Sequence, residues 1–258
     1  MGENSNKKFE ASALDVMNFF AANNITLALP DKIIVNKTAS SAIEDTNLNP
    51  YIIANPVENY AGLKNMGELS ELIAEIKAFE GCALKKDAIN TVIADGNPKA
   101  NIILIGEAPG ATEDSMGIPF CGESGQLLDA MLHSIGLSRK TNVYISNTVF
   151  WRPPDNRKPT EEEIAICKPF VERLIALVNP KLIILVGSTA GTSLLGKDFQ
   201  ISKMRRNFVS YNNQYLTNEI TVTAIFHPAY LLRQSSNKKT SWYDLLGIKK
   251  FIEDNKLL

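Results

Sequence analysis

The chain has 258 residues, 45% of them hydrophobic and 21% charged, with a formal net charge of −1 at pH 7. This balance excludes a disordered or fibrous chain and suits one soluble globular domain with room for an appendage. Near-neutral charge names no partner, three scattered cysteines (Cys82, Cys121, Cys167) with no CxxC pair exclude a metal site legible by spacing, and no apolar run approaches the roughly 18 residues of a membrane span.

Residues 1–10 are polar. Over residues 12–22, Leu14, Met17, Phe19 and Phe20 fall on one helical face, and residues 26–60, mixed in Pro, Asn, Ser and Thr, read as a linker. A second helix is predicted over 66–79, with Leu69, Leu72, Ile73 and Ile76 in one stripe. Residues 1–75 are therefore expected to be an N-terminal extension and 76–258 the main domain. From Cys82 onward the pattern becomes strand, loop, helix. Four unalternating apolar residues, 102–105, predict a strand buried on both faces that stops at Gly106. Gly106, Pro109 and Gly110 then allow a sharp turn close to a ligand, so a site is expected between Glu107 and Phe120.

A helix follows over 125–135, and a short strand over 143–146 ends at Asn147. The loop 149–159 holds Pro153, Pro154 and Pro159. Thr160 and Glu163 form a capping-box pattern opening a helix that runs to about Val178. A strand over 182–186 ends at Gly187-Ser188, a short helix covers 188–195, a last strand over 220–226 ends at His227-Pro228, and a helix covers 242–252. This alternation predicts right-handed crossovers and a mainly parallel sheet. Charge is unevenly spread: residues 1–75 carry ten acidic and five basic side chains, residues 201–258 nine basic and four acidic. A basic C-terminal part favours a phosphate-bearing partner, unless it is only solvated surface. The sparse, odd cysteine count and the lack of a charged-then-apolar leader lead us to expect a cytoplasmic protein.

Four strands thus end at chemically useful residues: Gly106-Glu107, Asn147, Gly187-Ser188 and His227. In a parallel sheet all four tips share one edge, where ligands bind. The motifs around them are Gly106-Glu107-Ala108-Pro109-Gly110-Ala111-Thr112-Glu113-Asp114, Gly117-Ile118-Pro119-Phe120 and Gly125-Gln126-Leu127-Leu128. They continue with Val143-Tyr144-Ile145-Ser146-Asn147, Arg152-Pro153-Pro154-Asp155-Asn156-Arg157 and His227-Pro228-Ala229-Tyr230-Leu231-Leu232-Arg233. In order and spacing, residues 79–246 closely resemble the family 4 (type-4) uracil-DNA glycosylases.

The resemblance implies a three-layer α/β/α domain around a mainly parallel four-stranded sheet. It also implies a monofunctional enzyme of base excision repair that acts as a monomer on single- or double-stranded DNA. Such an enzyme turns deoxyuridine out of the stack and hydrolyses the N-glycosidic bond. Phe120 would stack on the uracil ring beside Ala108, and Asn147 would accept from N3–H and donate to O4. Glu113 would wall off the C5 side, and His227 would stand beside O2, where negative charge develops. Ala108 stands where better-known uracil glycosylases carry an Asp. Positioning of the attacking water would then fall to Glu107, Glu113 or backbone carbonyls. For DNA, the resemblance points to the helix start Ser124-Gly125-Gln126 and to the loop carrying Arg152, Pro153, Pro154 and Arg157. It points further to the small-residue phosphate loop Gly187-Ser188 and to a wedge, Tyr230-Leu231-Leu232-Arg233.

Members of that family usually carry a 4Fe-4S cluster on four cysteines. Here those places are Phe79, Cys82, Trp151 and Cys167, so two ligands are replaced by aromatics that cannot bind iron. The expectation is no cluster, with Phe79 and Trp151 filling its volume, and no metal needed for the chemistry. Two other readings stay open on sequence alone. One is a phosphoester hydrolase using the 106–110 loop, which lacks a Walker-type Lys; the other is a non-catalytic or altered-specificity DNA-binding protein of the same fold.

Overall fold

The computed structural model describes residues 66–258. The helix expected over 12–22 and the linker at 26–60 lie outside the described residues. Helix α1 (Met66–Ala78) comes first, followed by β1 (Ala94–Gly96), β2 (Ile102–Gly106), α2 (Ala111–Met116), α3 (Glu123–His133) and β3 (Tyr144–Asn147). Then come α4 (Glu161–Val178), β4 (Leu182–Val186), α5 (Ser188–Leu195), α6 (Ile201–Met204), β5 (Val209–Tyr211), β6 (Ile220–Ile225), α7 (Pro228–Arg233) and α8 (Lys238–Asp254).

The strands form one six-stranded sheet in the spatial order β1-β3-β2-β4-β6-β5. The four inner strands run parallel, and both edges are antiparallel. The expected four-stranded parallel sheet is thus the interior of a larger one, and the strand count is corrected to six. The two extra strands have three residues each, and β1 is half-buried throughout. Neither is long enough to show alternation or an apolar run. By contrast every residue of β2 and β4 is buried, as their unbroken apolar sequences predict.

Helices cover both faces. On one, α1 packs on α4 and α4 on α5; on the other, α3 packs on α7 and α8. Ile103, Ile105, Ile183 and Leu185 face the first layer, in one core with Leu72, Ile76, Leu174 and Ile175. Successive strand residues alternate, so the equally buried Ile102 and Leu104 serve the second. Leu69, Leu72 and Ile76 of α1 all belong to this core, so the boundary expected at residue 75 falls within a helix whose buried stripe runs on across it. Helix α4 opens as its sequence predicts: Thr160 Oγ1 accepts from the Glu163 N–H at 3.2 Å, and the Glu163 carboxylate accepts from the Thr160 N–H at 2.7 Å. Among the described residues no helix is long and apolar enough to cross a membrane.

Register sets up the site. Gly106 stands opposite Asn147, Val186 opposite Ile225, and the Gly187 N–H donates to the Ile225 carbonyl at 2.9 Å. The chain therefore leaves β2, β3, β4 and β6 along one edge of the sheet.

Candidate active site

A cleft of about 770 Å³ opens over that edge. Of the residues singled out in the sequence, Glu107, Ala108, Glu113, Phe120, Ser124, Arg157, Gly187, Ser188, His227, Tyr230 and Arg233 line it. Asn147 lies beneath, 1% exposed, and among the described residues no donor reaches its Oδ1. Gly106 explains how the amide stays within reach of the cleft. A Cβ there would lie 2.4 Å from Asn147 Oδ1 and 2.4 Å from Phe120 Cζ, so any side chain would fill the space between amide and ring. The Phe120 ring in turn lies 5.7 Å from the His227 imidazole, inclined at 34°. Phe120, Asn147 and His227, far apart in sequence, form one contiguous group.

His227 is held in a defined tautomer. It caps α7, its Nδ1 accepting from the Ala229 N–H at 3.2 Å. Nδ1 therefore carries no proton, and Nε2 of the neutral ring is a donor. Burial pushes the imidazole below its ordinary value near 6.5, against an opposing pull from the Glu107 carboxylate. The neutral donor is thus the resident form at pH 7.

The two candidate carboxylates differ sharply. Glu113 Oε1 accepts from the N–H groups of Cys121 at 3.0 Å and Gly122 at 2.8 Å, and Oε2 from Gly110 N–H at 3.1 Å. With three of its four or so lone-pair positions taken, it is a clasp between two loop segments. Among the described residues Glu107 is bound at one carboxylate oxygen, where Oε2 accepts from Thr189 Oγ1. Its backbone carbonyl accepts from Thr148 Oγ1 at 2.5 Å. Thr189 was not legible in the sequence, since its partner lies 82 residues away.

Several residues expected on DNA have other work. Leu231 is corrected: it is 1% exposed, packed inside the fold because α7 turns that side of the segment inward, and cannot serve as a wedge. Tyr230, Leu232 and Arg233 remain on the outer side. Gly125, in the first turn of α3, also has a packing reason to be glycine: a Cβ there would lie 1.8 Å from the Phe120 carbonyl oxygen. Pro153 is buried, and Arg152 Nε donates to Asn156 Oδ1 at 2.7 Å. Neither these two nor the exposed Pro154 and Gln126 line the cleft. Arg157 reaches it with its fork on Glu163, at 2.9 and 2.6 Å. Arg206 pairs with the buried Asp244 at 3.0 Å; Arg205 also pairs with Asp244 and lies 4.1 Å over the ring of Phe226, which lines the cleft.

The places assigned by resemblance to an iron–sulfur cluster form part of the core. Trp151 is fully buried, its indole N–H donating to Thr91 Oγ1 at 3.1 Å. Phe79 stacks beside it at 6.4 Å and meets Phe170 edge-on at 4.9 Å. Cys82 and Cys167 are buried and hydrogen-bonded to each other, which draws the Cys82 thiol below the ordinary range and pushes Cys167 above it. A 4Fe-4S cluster takes four thiolates. Two thiols beside two packed rings do not fit one.

The chain matches the uracil DNA glycosylase superfamily over residues 93–246. It is 38% identical over 190 residues to a type-4 uracil-DNA glycosylase of Thermotoga maritima, covering 72% of this chain and 96% of that protein. It is 39% identical over 171 residues to one of Archaeoglobus fulgidus, covering 65% and 84%. A type-5 uracil-DNA glycosylase of Thermus thermophilus is 36% identical over 139 residues, 48% of this chain and 62% of that one.

Proposed function

Because the chain belongs to the uracil DNA glycosylase superfamily, we propose that its cleft takes one deoxyuridine turned out of DNA and releases free uracil, leaving an abasic site. Its activity is that of a uracil-DNA glycosylase in DNA repair. The observation that carries the reading of the pocket is the buried Oδ1 of Asn147, unpartnered among the described residues, beside the gap at Gly106. A buried acceptor without a donor costs about 1–3 kcal/mol. Uracil N3–H supplies that donor, and the amide NH₂ then faces O4. Phe120 stacks on the ring, and Ala108 leaves room at the cleft wall.

In the reaction, the C1′–N1 bond breaks and its electron pair passes to the base, with charge gathering on O2. The Nε2–H of neutral His227 donates to that oxygen. Water adds to C1′ and gives up a proton to solvent, and the uracil anion takes one up from solvent as it leaves as the neutral base. Glu107, tethered at one oxygen by Thr189 and open at the other among the described residues, is better placed to orient that water than Glu113, which already accepts from three N–H groups. The strand itself would be held by Gly187-Ser188 at the start of α5 and by Arg157, Tyr230 and Arg233 along the cleft. Three free thiols support a reducing, cytoplasmic setting.

The test is incubation with single-stranded DNA carrying one uracil. Free uracil should appear together with an alkali-labile site at the same position. Tight binding without release would overturn the assignment in favour of a non-catalytic module.

We further propose that the enzyme works without an iron–sulfur cluster, the packed rings of Phe79 and Trp151 replacing its bulk. Anaerobically purified protein should contain no stoichiometric iron or sulfide and no broad visible absorption. One cluster's worth of iron per chain would refute this.

A further inference from the structure

Phe120 has a positive φ of 51°, a left-handed backbone that a bulky residue rarely adopts. Its ring must keep one face open to receive a base, so packing on both faces cannot hold it there. The grip comes instead from the backbone on either side. Arg139, in the connection between α3 and β3, donates from Nη1 to the Pro119 carbonyl at 2.9 Å and from Nη2 to the Phe120 carbonyl at 2.7 Å. The same guanidinium is steadied by Asp129 through Nε at 2.9 Å and by Asp95 through Nη1 at 3.0 Å. Asp129 belongs to α3 and Asp95 to β1, so Arg139 refers the loop to the frame of the domain. On the other side, Glu113 holds the N–H groups of Cys121 and Gly122.

We propose that Arg139 is a positioning residue for base recognition: by fixing the carbonyls of Pro119 and Phe120 it keeps the Phe120 ring over Gly106 and beside His227. This rests on Phe120 being the surface on which uracil stacks. Without the two carbonyl bonds, Phe120 is free to relax towards negative φ, which swings the ring out of line with the Asn147 amide. Lysine cannot substitute. Its single ammonium lacks the flat fork that reaches acceptors on three separate segments at once.

The experiment is a double-mutant cycle on the full chain, reading kcat/KM on single-stranded uracil DNA. The four proteins are wild type, Arg139→Lys, Phe120→Ala and the double variant. Arg139→Lys should lower kcat/KM about tenfold alone and less than about twofold in the Phe120→Ala background, because the ring through which it acts is already gone. An equal loss in both backgrounds would overturn the proposal while leaving the stacking role of Phe120 intact. An inert Phe120→Ala would instead sink the stacking reading and this inference with it. Should Arg139→Lys fold poorly, Asp129→Asn, on the half-exposed partner, loosens the same guanidinium. Its milder loss should likewise vanish in the Phe120→Ala background, and persistence there would overturn the proposal.

Discussion

His227→Ala is expected to lower turnover by about 10²- to 10³-fold while leaving affinity for uracil-containing DNA nearly unchanged. In the proposed reaction the half-buried imidazole meets the developing O2 charge with one N–H and makes no contact assigned to the strand. A preset donor in a dry site contributes about 2.7–4 kcal/mol at such an oxyanion, because it is already aimed when the charge appears. His227 is aimed by its own helix: the Ala229 N–H occupies Nδ1, leaving Nε2 to donate. Single-turnover rates and a binding titration measured side by side separate the two effects. Unchanged turnover would remove His227 from the chemistry.

The same geometry dictates a pH profile. Burial depresses the folded-state pKa below 6.5, so the neutral ring persists to lower pH than a free histidine would allow. Turnover should hold steady as pH falls from 8 through the ordinary value near 6.5, then drop as the ring finally protonates and the Ala229 bond breaks. The sign for stability is the same. A depressed pKa means the fold favours the neutral form, so the contribution is complete above about 6.5 and is lost as pH falls through the folded-state value. Turnover that instead rose as pH was lowered from 7 would show an imidazolium at work and contradict the assigned tautomer.

Asn147→Asp is expected to lower uracil excision by about 10²-fold and to shrink the preference for uracil over cytosine by at least as much. Uracil needs an acceptor for N3–H and a donor for O4, which an amide offers together. A carboxylate offers acceptors only. A carboxylic acid in the same buried place can donate to cytosine N3 and accept from its N4 amine. Because Asn147 is almost wholly enclosed, a mismatched bond there is poorly compensated by water. Release of base from strands carrying uracil or cytosine at one position measures both changes. Full discrimination by the variant would show that the amide does not read the base.

Much of this site was legible because β2, β3, β4 and β6 each stop at, or within two residues of, a residue of a type that can turn the chain sharply or bind a ligand. Gly106, Asn147, Gly187 and His227 could be placed on one edge from periodicity and strand direction alone. The clasps around them could not. Arg139 reads as one more surface cation until its guanidinium is seen between residues 19 and 44 positions away. Thr189 reads as a helix-start residue until its hydroxyl meets Glu107. Glu113 carries the opposite lesson: its motif marked it for the site, and the three N–H groups it accepts from show that it holds loops together.

The amino-acid order alone settled which segments become buried strands and which residues stand at their tips, because hydrophobic periodicity and turn chemistry act over a few neighbouring residues. Folding in three dimensions settled which partners the residues of the other motifs take. Leu231 went into the core, Arg157 went to Glu163, and the two aromatics on the cluster positions packed against each other. Hydrogen bonds and close packing join groups that the chain keeps tens of residues apart, and no local pattern encodes which donor will reach which acceptor.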